Sequence, residues 1–203
     1  LALPWTPLVY RARGAQDVYF EHLNVEEASV SVYPITSKEF YGLTSGEISM
    51  TAFAPRTEAI REWDFGKSKQ RNILKSERLA LDENGKPLEA GFYFIGTKAQ
   101  PFNYEANYYQ GYVFVVATDN LTFKATSTEG LAWLTDLESG APQKDVNVTF
   151  FDEKFKQIGK AVTDKDGLAY AEDIKSANYA LAESDGHFAF TALYWGSDVS
   201  TYD

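Results

Sequence analysis

The sequence predicts an all-β protein built as two tandem antiparallel β-sandwiches with at most one or two short helices. Three observations predict it. Apolar and polar residues alternate with a period of two along most of the chain. The alternating runs are short and end on Gly, Asp or Asn. Helical periodicity is slight. Successive strand side chains point to opposite faces, so a half-buried strand reads as alternation, and frequent turn residues keep the strands short.

Taken in order, "DVYFEHLNV" sets Val18 and Phe20 against Tyr19 and Glu21. "ASVSVYPI" sets Val30 and Val32 against Ser29, Ser31 and Tyr33. Thr36 and Glu39 have capping-box spacing before "FYGL", which predicts a short helix from about Ser37 to Gly42. "TEAIREWDFG", bracketed by Pro55 and Gly66, is read as a helical turn or two from Thr57. "NILKSERLAL" is read as a strand, and Asn84-Gly85 in "LDENGKP" as a hairpin signal. "GFYFIGT" and "GYVFVVAT" are apolar runs bounded by Gly. In "DVNVTFF", Val146, Val148 and Phe150 alternate with Asn147, Thr149 and Phe151. "FAFTALYW" continues the pattern.

A polar, aromatic stretch with a Pro, "AQPFNYEANYYQG", interrupts the strands and suggests a border. The two domains are then 1–108 and 109–203, each with about seven short strands, as a sandwich requires. The alternative is one larger barrel or sandwich. It fits less well, because turn signals recur at sandwich-like spacing in both halves.

From Trp133 to Ala169 the chain reads as a meander of hairpins. Trp133–Leu137 is a strand, and "ESGAP" is a turn in which Gly140 takes positive φ. "DVNVTFFD" follows, "EKF" bends, "KQIGKAVT" returns, "DKDG" bends and "LAYA" begins the next strand. A calcium loop would place its Gly sixth from the first acidic ligand. If Asp164 is first and Asp166 third, Gly167 is fourth, and flanking helices are missing, so this run is a bend and not a metal site.

Charge and composition narrow the function. Net charge is −10, from 19 basic and 29 acidic residues. No basic face is available for nucleic acid, and an anionic membrane surface is disfavoured. No apolar run is long enough to cross a membrane as a helix. There is no Cys, so disulfides, thiolate catalysis and Cys-bound zinc are excluded within these residues. The first residues carry no signal-peptide pattern, and the chain reads as an internal piece of a longer protein.

Candidate chemistry is sparse. The only histidines, His22 and His187, have no nucleophile motif beside them and are read as structural or surface residues. Glu26 with Glu27 and Glu172 with Asp173 are neighbours in sequence, so strand geometry would send each pair to opposite faces. "FGKSK" at 65–69 lacks the first Gly of a phosphate loop. Phe102, Tyr104, Tyr108 and Tyr109, with Trp133 and Trp195, could stack sugar rings, but are read first as packing a domain junction. No catalytic, cofactor-binding or metal-ligating residue is assigned, and no cofactor is expected.

The stretch "LAWLTDLESGAPQKDVNVTFFDEKFKQIGKAVTDKDGLAYA" carries a family resemblance. Leu134-Thr135-Asp136-Leu137, the turn Gly140-Ala141-Pro142, the strand Val146 to Asp152 and the run Thr163 to Ala169 resemble the macroglobulin-like domains of bacterial alpha-2-macroglobulins. The likeness covers about Gly111 to Asp203 and is weaker over 1–108, which resembles a preceding domain of the same kind. Ig-like carrier domains of adhesins share the Thr-Asp-x-x-Gly turn. The resemblance implies a large protease-trapping inhibitor of the bacterial periplasm or cell envelope, anchored in the membrane or secreted through the parent. Members let a protease cut a bait segment and then close around it, and many carry an internal thioester made from a Cys and a Gln. This chain would be non-catalytic scaffold. Its partners would be neighbouring macroglobulin-like domains and, through the parent, target proteases. The alternative is a carbohydrate-binding or adhesion module of a surface protein; an enzyme is a distant third.

Overall fold

The computed structural model describes residues 8–65, 72–82, 86–100 and 111–193. The chain divides into two compact units, Leu1–Val116 and Ala117–Asp203. Each is an antiparallel β-sandwich of seven strands among the described residues.

In the first unit, β1 (Leu8–Arg11), β3 (Glu27–Ile35), β4 (Arg61–Phe65), β6 (Gly91–Gln100) and β7 (Gly111–Ala117) form a sheet in the order β1-β7-β6-β3-β4. A two-stranded ribbon of β2 (Asp17–His22) and β5 (Lys75–Ala80) faces it. The alternation in "DVYFEH" is realised: Val18 and Phe20 are buried while Tyr19 and Glu21 face out. Val30 and Val32 from β3, Ile95 from β6 and Phe114 from β7 complete this core. Seven consecutive residues of β7 are buried, because the other face of the sheet is covered too. Helix α1 (Ser37–Ser45) sets Phe40 against Phe92, and Phe53 packs edge-on against Phe94. A strand apolar on both faces is the expected mark of such a middle layer.

Helix α1 starts where the spacing predicts. The Glu39 backbone N–H donates to Thr36 Oγ1, and the Thr36 backbone N–H donates to Glu39 Oε2 at 2.9 Å, closing the capping box. Gly46 ends it in the left-handed region.

Three local expectations are corrected. "REWDF" is not helical but strand β4, paired with β3 from Ala28↔Phe65 to Val32↔Arg61. The open edge of β3 supplies hydrogen bonds that a short, tightly bracketed helix could not match. The expected domain border at 108/109 lies in 101–110, outside the described residues. Strand β7 beyond it, read as the opening of the second domain, hydrogen-bonds to β6 from Gly91↔Val116 to Gly96↔Gly111 and so completes the sheet of the first unit. The Asn84-Gly85 turn also lies outside the described residues.

The third correction concerns the meander. In the second unit β8 (Asp119–Ala125), β9 (Gly130–Asp136) and β12 (Leu168–Ala171) form one sheet in the order β12-β9-β8. Strands β10 (Asn147–Phe151), β11 (Gln157–Val162), β13 (Tyr179–Ser184) and β14 (His187–Ala192) form the other, in the order β11-β10-β13-β14. Of the three turns read within 133–169, only "EKF" closes a hairpin, between β10 and β11. The "ESGAP" turn and the "DKDG" turn each carry the chain from one sheet to the other. The inward residues Leu134, Val146, Val148, Phe150 and Ala169 fit only if successive strands face each other across a core.

Candidate functional site

Apart from Asp152, at the far end of β10, the motif residues meet at one end of the second unit, where the two crossing turns lie side by side. Asp136 ends β9, and its Oδ1 accepts from the backbone N–H of Glu138 at 3.1 Å and of Ser139 at 2.7 Å. Gly140 has φ +71°, as the turn predicts. Asp152 does the same work in the hairpin, its Oδ1 accepting from the N–H of Lys154 and of Lys156, both at 2.9 Å. Thr163 is buried, and its Oγ1 accepts from the Val146 N–H at 2.9 Å. Asp164 Oδ1 accepts from the N–H of Asp166 and of Leu168, each at 2.9 Å. These bonds hold the Asp164 carboxyl below its ordinary pKa, the Leu168 N–H contributing most and the Asp166 N–H next. The acidic oxygen that a metal would use is engaged by the chain's own backbone.

Gly167 joins the two turns. Its φ is +78°, and a Cβ there would stand 2.5 Å from the Leu134 carbonyl oxygen and 3.0 Å from Pro142 Cβ. Its carbonyl accepts from the Leu134 N–H at 2.9 Å, and the Leu134 carbonyl accepts from the Gln143 N–H at 3.0 Å. The spacing of Leu-Thr-Asp, Gly-x-Pro and Thr-Asp-x-x-Gly is therefore the spacing needed to fit two loops against each other.

The two histidines occupy unlike places. His22 is buried at the end of β2, with Nε2 3.4 Å from Glu77 Oε1 and its ring stacked on Phe20. His187 Nδ1 lies 3.1 Å from Oδ2 of the buried Asp119. Thr118 Oγ1 donates to that same oxygen at 2.6 Å and accepts from the Phe188 N–H at 2.7 Å. Here the carboxylate stands between hydroxyl and imidazole. In a nucleophile relay the imidazole takes the middle place, to receive the hydroxyl proton. The arrangement is a polar clamp that fastens the start of β8 to β14. Asp119 and Thr118 gave no sequence signal, since their partners lie about 70 residues on.

The paired acids are all exposed. Glu27 opens β3 with Glu26 just before it, and Glu172 and Asp173 follow β12. Among the described residues no group of three or more His, Asp or Glu side chains is placed to hold a metal ion. Phe102, Tyr104, Tyr108, Tyr109, Trp195 and most of "FGKSK" lie outside the described residues.

Trp133 is described, and it does not stand alone. Leu131 and Trp133 on β9 point outward, and β12 sets Tyr170 opposite Leu131 and Leu168 opposite Trp133. All four are exposed. Trp133 Nε1–H donates to the Asp166 carbonyl at 3.1 Å. The Tyr170 hydroxyl bonds the Glu129 carboxylate, which, ahead of desolvation and the nearby charges, pushes the phenol up to about 12. Sequence reading singled out Trp133 as a stacking candidate but missed its three neighbours. Their signal was present in "GLAW" and "LAYA", where large residues take the outward phase and Ala or Gly the inward one.

Comparison with known proteins bears on residues 118–203, which match the family model for the bacterial alpha-2-macroglobulin MG3 domain. No curated protein matches the chain. Among solved structures, native alpha-2-macroglobulin from Escherichia coli spanning domains NIE-MG1 is 17% identical with a TM-score of 0.71. That match covers 95% of this chain and 97% of that one. The Escherichia coli structure spanning MG0-NIE-MG1 is 19% identical with a TM-score of 0.68, over 87% of this chain and 58% of that one. A Salmonella alpha-2-macroglobulin mutant is 16% identical with a TM-score of 0.68. The match takes in 100% of this chain but only 12% of the Salmonella chain. At such identities the structures establish a shared fold, and the family model adds a likeness confined to residues 118–203. Residues 118–203 thus resemble the MG3 domain of bacterial alpha-2-macroglobulins, and the chain shares the fold of the solved structures of that family.

Proposed function

We propose that this chain is non-catalytic scaffold within a protease-trapping inhibitor of the bacterial cell envelope. Its two units are two consecutive macroglobulin-like domains, and its immediate partners are further domains of the same polypeptide. The observation that carries the reading is the family match over 118–203. The geometry agrees with it, since the motif carboxylates Asp136, Asp152 and Asp164 are bound to backbone N–H groups of their own turns. With no Cys, the chain cannot supply the Cys of a thioester. No helix among the described residues is long and apolar enough to cross a membrane, so an envelope location rests on the family and on the parent protein. In the trap, cleavage at a bait elsewhere would release strain, and these units would move as preformed bodies.

The test compares this chain with the longer natural polypeptide containing it. Each is mixed with trypsin, and hydrolysis of a large protein substrate and of a small peptide is followed. The longer chain should suppress attack on the protein while leaving attack on the peptide, because a cage excludes by size. The 203-residue chain should change neither rate. Inhibition or hydrolysis by the short chain itself would overturn the scaffold reading.

A further inference from the structure

The outer face of the β12-β9-β8 sheet is built unlike a solvated face. Leu131 is 41% exposed, Trp133 47%, Leu168 38% and Tyr170 49%. The register makes them two cross-strand pairs on one surface, Leu168 with Trp133 and Tyr170 with Leu131, and β8 adds Thr122 and Lys124 at its margin. Behind these two pairs the inward positions hold Gly130, Ala132, Ala169 and Ala171, and the one large inward apolar side chain of the two strands, Leu134, lies beyond them. A strand with its bulk outside and its small residues inside inverts the usual pattern, and contiguous exposed apolar surface of this kind marks an interaction site.

We propose that this face is the docking seat for another domain of the same polypeptide, with Trp133 and Tyr170 as its anchors. The inference rests on the scaffold reading and names the surface by which the scaffold is joined.

The chemistry selects the occupant. Trp133 spends its indole N–H on the Asp166 carbonyl, and Tyr170 spends its hydroxyl on Glu129. What remains is ring face and Leu methyls, with Lys124, Glu129 and Glu172 around them, which is the apolar centre and polar rim of a protein interface. A sugar site also needs free hydrogen-bonding groups beside its aromatic platform. Size separates a tethered domain from a free partner. Four side chains of these exposures offer on the order of 300–400 Å², against the roughly 800 Å² per partner of a standard free association. A tether supplies the difference, because a domain on the same chain is present at an effective concentration of about millimolar. Such domains exist in the relatives, where the matching span is 12% of the Salmonella chain.

The experiment is hydroxyl-radical footprinting with mass spectrometry, on this chain and on the longer natural polypeptide. Trp133 and Tyr170 should react readily in the short chain and several-fold more slowly in the longer one. Equal reactivity in the two overturns the inference. So does self-association of the short chain that protects Trp133, or retention on a glycan array that Trp133→Ser abolishes. A double variant, Trp133→Ser with Tyr170→Thr, separates docking from folding. It should lower the unfolding temperature of the longer chain and leave that of the short chain nearly unchanged, since both side chains face solvent there. An equal drop in both would assign these residues to the fold of the unit and end the proposal. Protease suppression is scored separately. Suppression kept with Trp133 unprotected removes the docking face and spares the scaffold reading; protection kept with suppression lost does the reverse.

Discussion

Gly167 shows how much one residue carries. Its positive φ is strained for any side chain, and the space a Cβ would need is taken by the Leu134 carbonyl. Backbone cannot swing aside as a flexible side chain does, so Gly167→Ala should cost at least about 2 kcal/mol, read as a lower urea midpoint. Asp164 in the same turn acts through charge. Its carboxyl titrates below the ordinary value in the folded chain, so its contribution is full above that value and drains away as pH falls through the lower, folded one. Asp164→Ala should therefore unfold at lower urea than the parent at pH 7, with the gap narrowing as pH drops below about 4. Asp164→Asn, which keeps an acceptor oxygen, should fall between them. A gap that is constant with pH would assign the loss to something other than this carboxylate. The turn itself was legible in "TDKDG", because Asx and Gly turn chemistry is local. Gln16 was not legible. It is wholly buried, its Oε1 accepts from the Leu88 N–H at 2.7 Å and its Nε2 donates to the Arg11 carbonyl at 2.7 Å. Nothing near residue 16 announces a partner at 88.

The same division holds for elements. Helix α1 was visible because Thr36 and Glu39 cap it from three residues apart. Thr36→Ala should cost about 1 kcal/mol, and the loss should appear as faster amide exchange over the first turn of α1. Slower or unchanged exchange there would mean that Phe40 packing on Phe92, not the cap, holds that end. Strand β4 was misread because its conformation is set by β3, some thirty residues earlier. The meander was misread for a subtler reason. Turn residues announce that the chain reverses, but not whether it reverses within a sheet or across to the facing one. Both crossings use an Asp to cap the turn as the true hairpin at Asp152 does, with Gly at positive φ where the hairpin has Phe155. What distinguishes them is Gly167 packed on Leu134, a contact with no sequence signature apart from the family motif. Seen this way, the motif is a record of that contact.

At the scale of the whole molecule, two cores are the main fact. One is gathered from Val18 to Val116 and the other from Leu121 to Ala189, and they share no residue. Cooperativity follows the residues that pack together, so damage to one core should stay in its own unit. Gln16→Leu strands the Leu88 N–H and two carbonyls in the first unit and should cost about 2–3 kcal/mol; Gly167→Ala strikes the second. Hydrogen exchange by mass spectrometry resolves the two. Gln16→Leu should speed exchange across β2, β3, β5 and β6 and leave β8 to β14 at parental rates, and Gly167→Ala should do the opposite. Excised residues 117–203 should then unfold with the same midpoint as the second unit within the chain. If either variant instead accelerates exchange everywhere, the units unfold as one body. The footprint at Trp133 gains its meaning here. A unit that closes its own core still leaves Leu131, Trp133, Leu168 and Tyr170 in water, so the pull toward a neighbouring domain survives whether or not the first unit is folded.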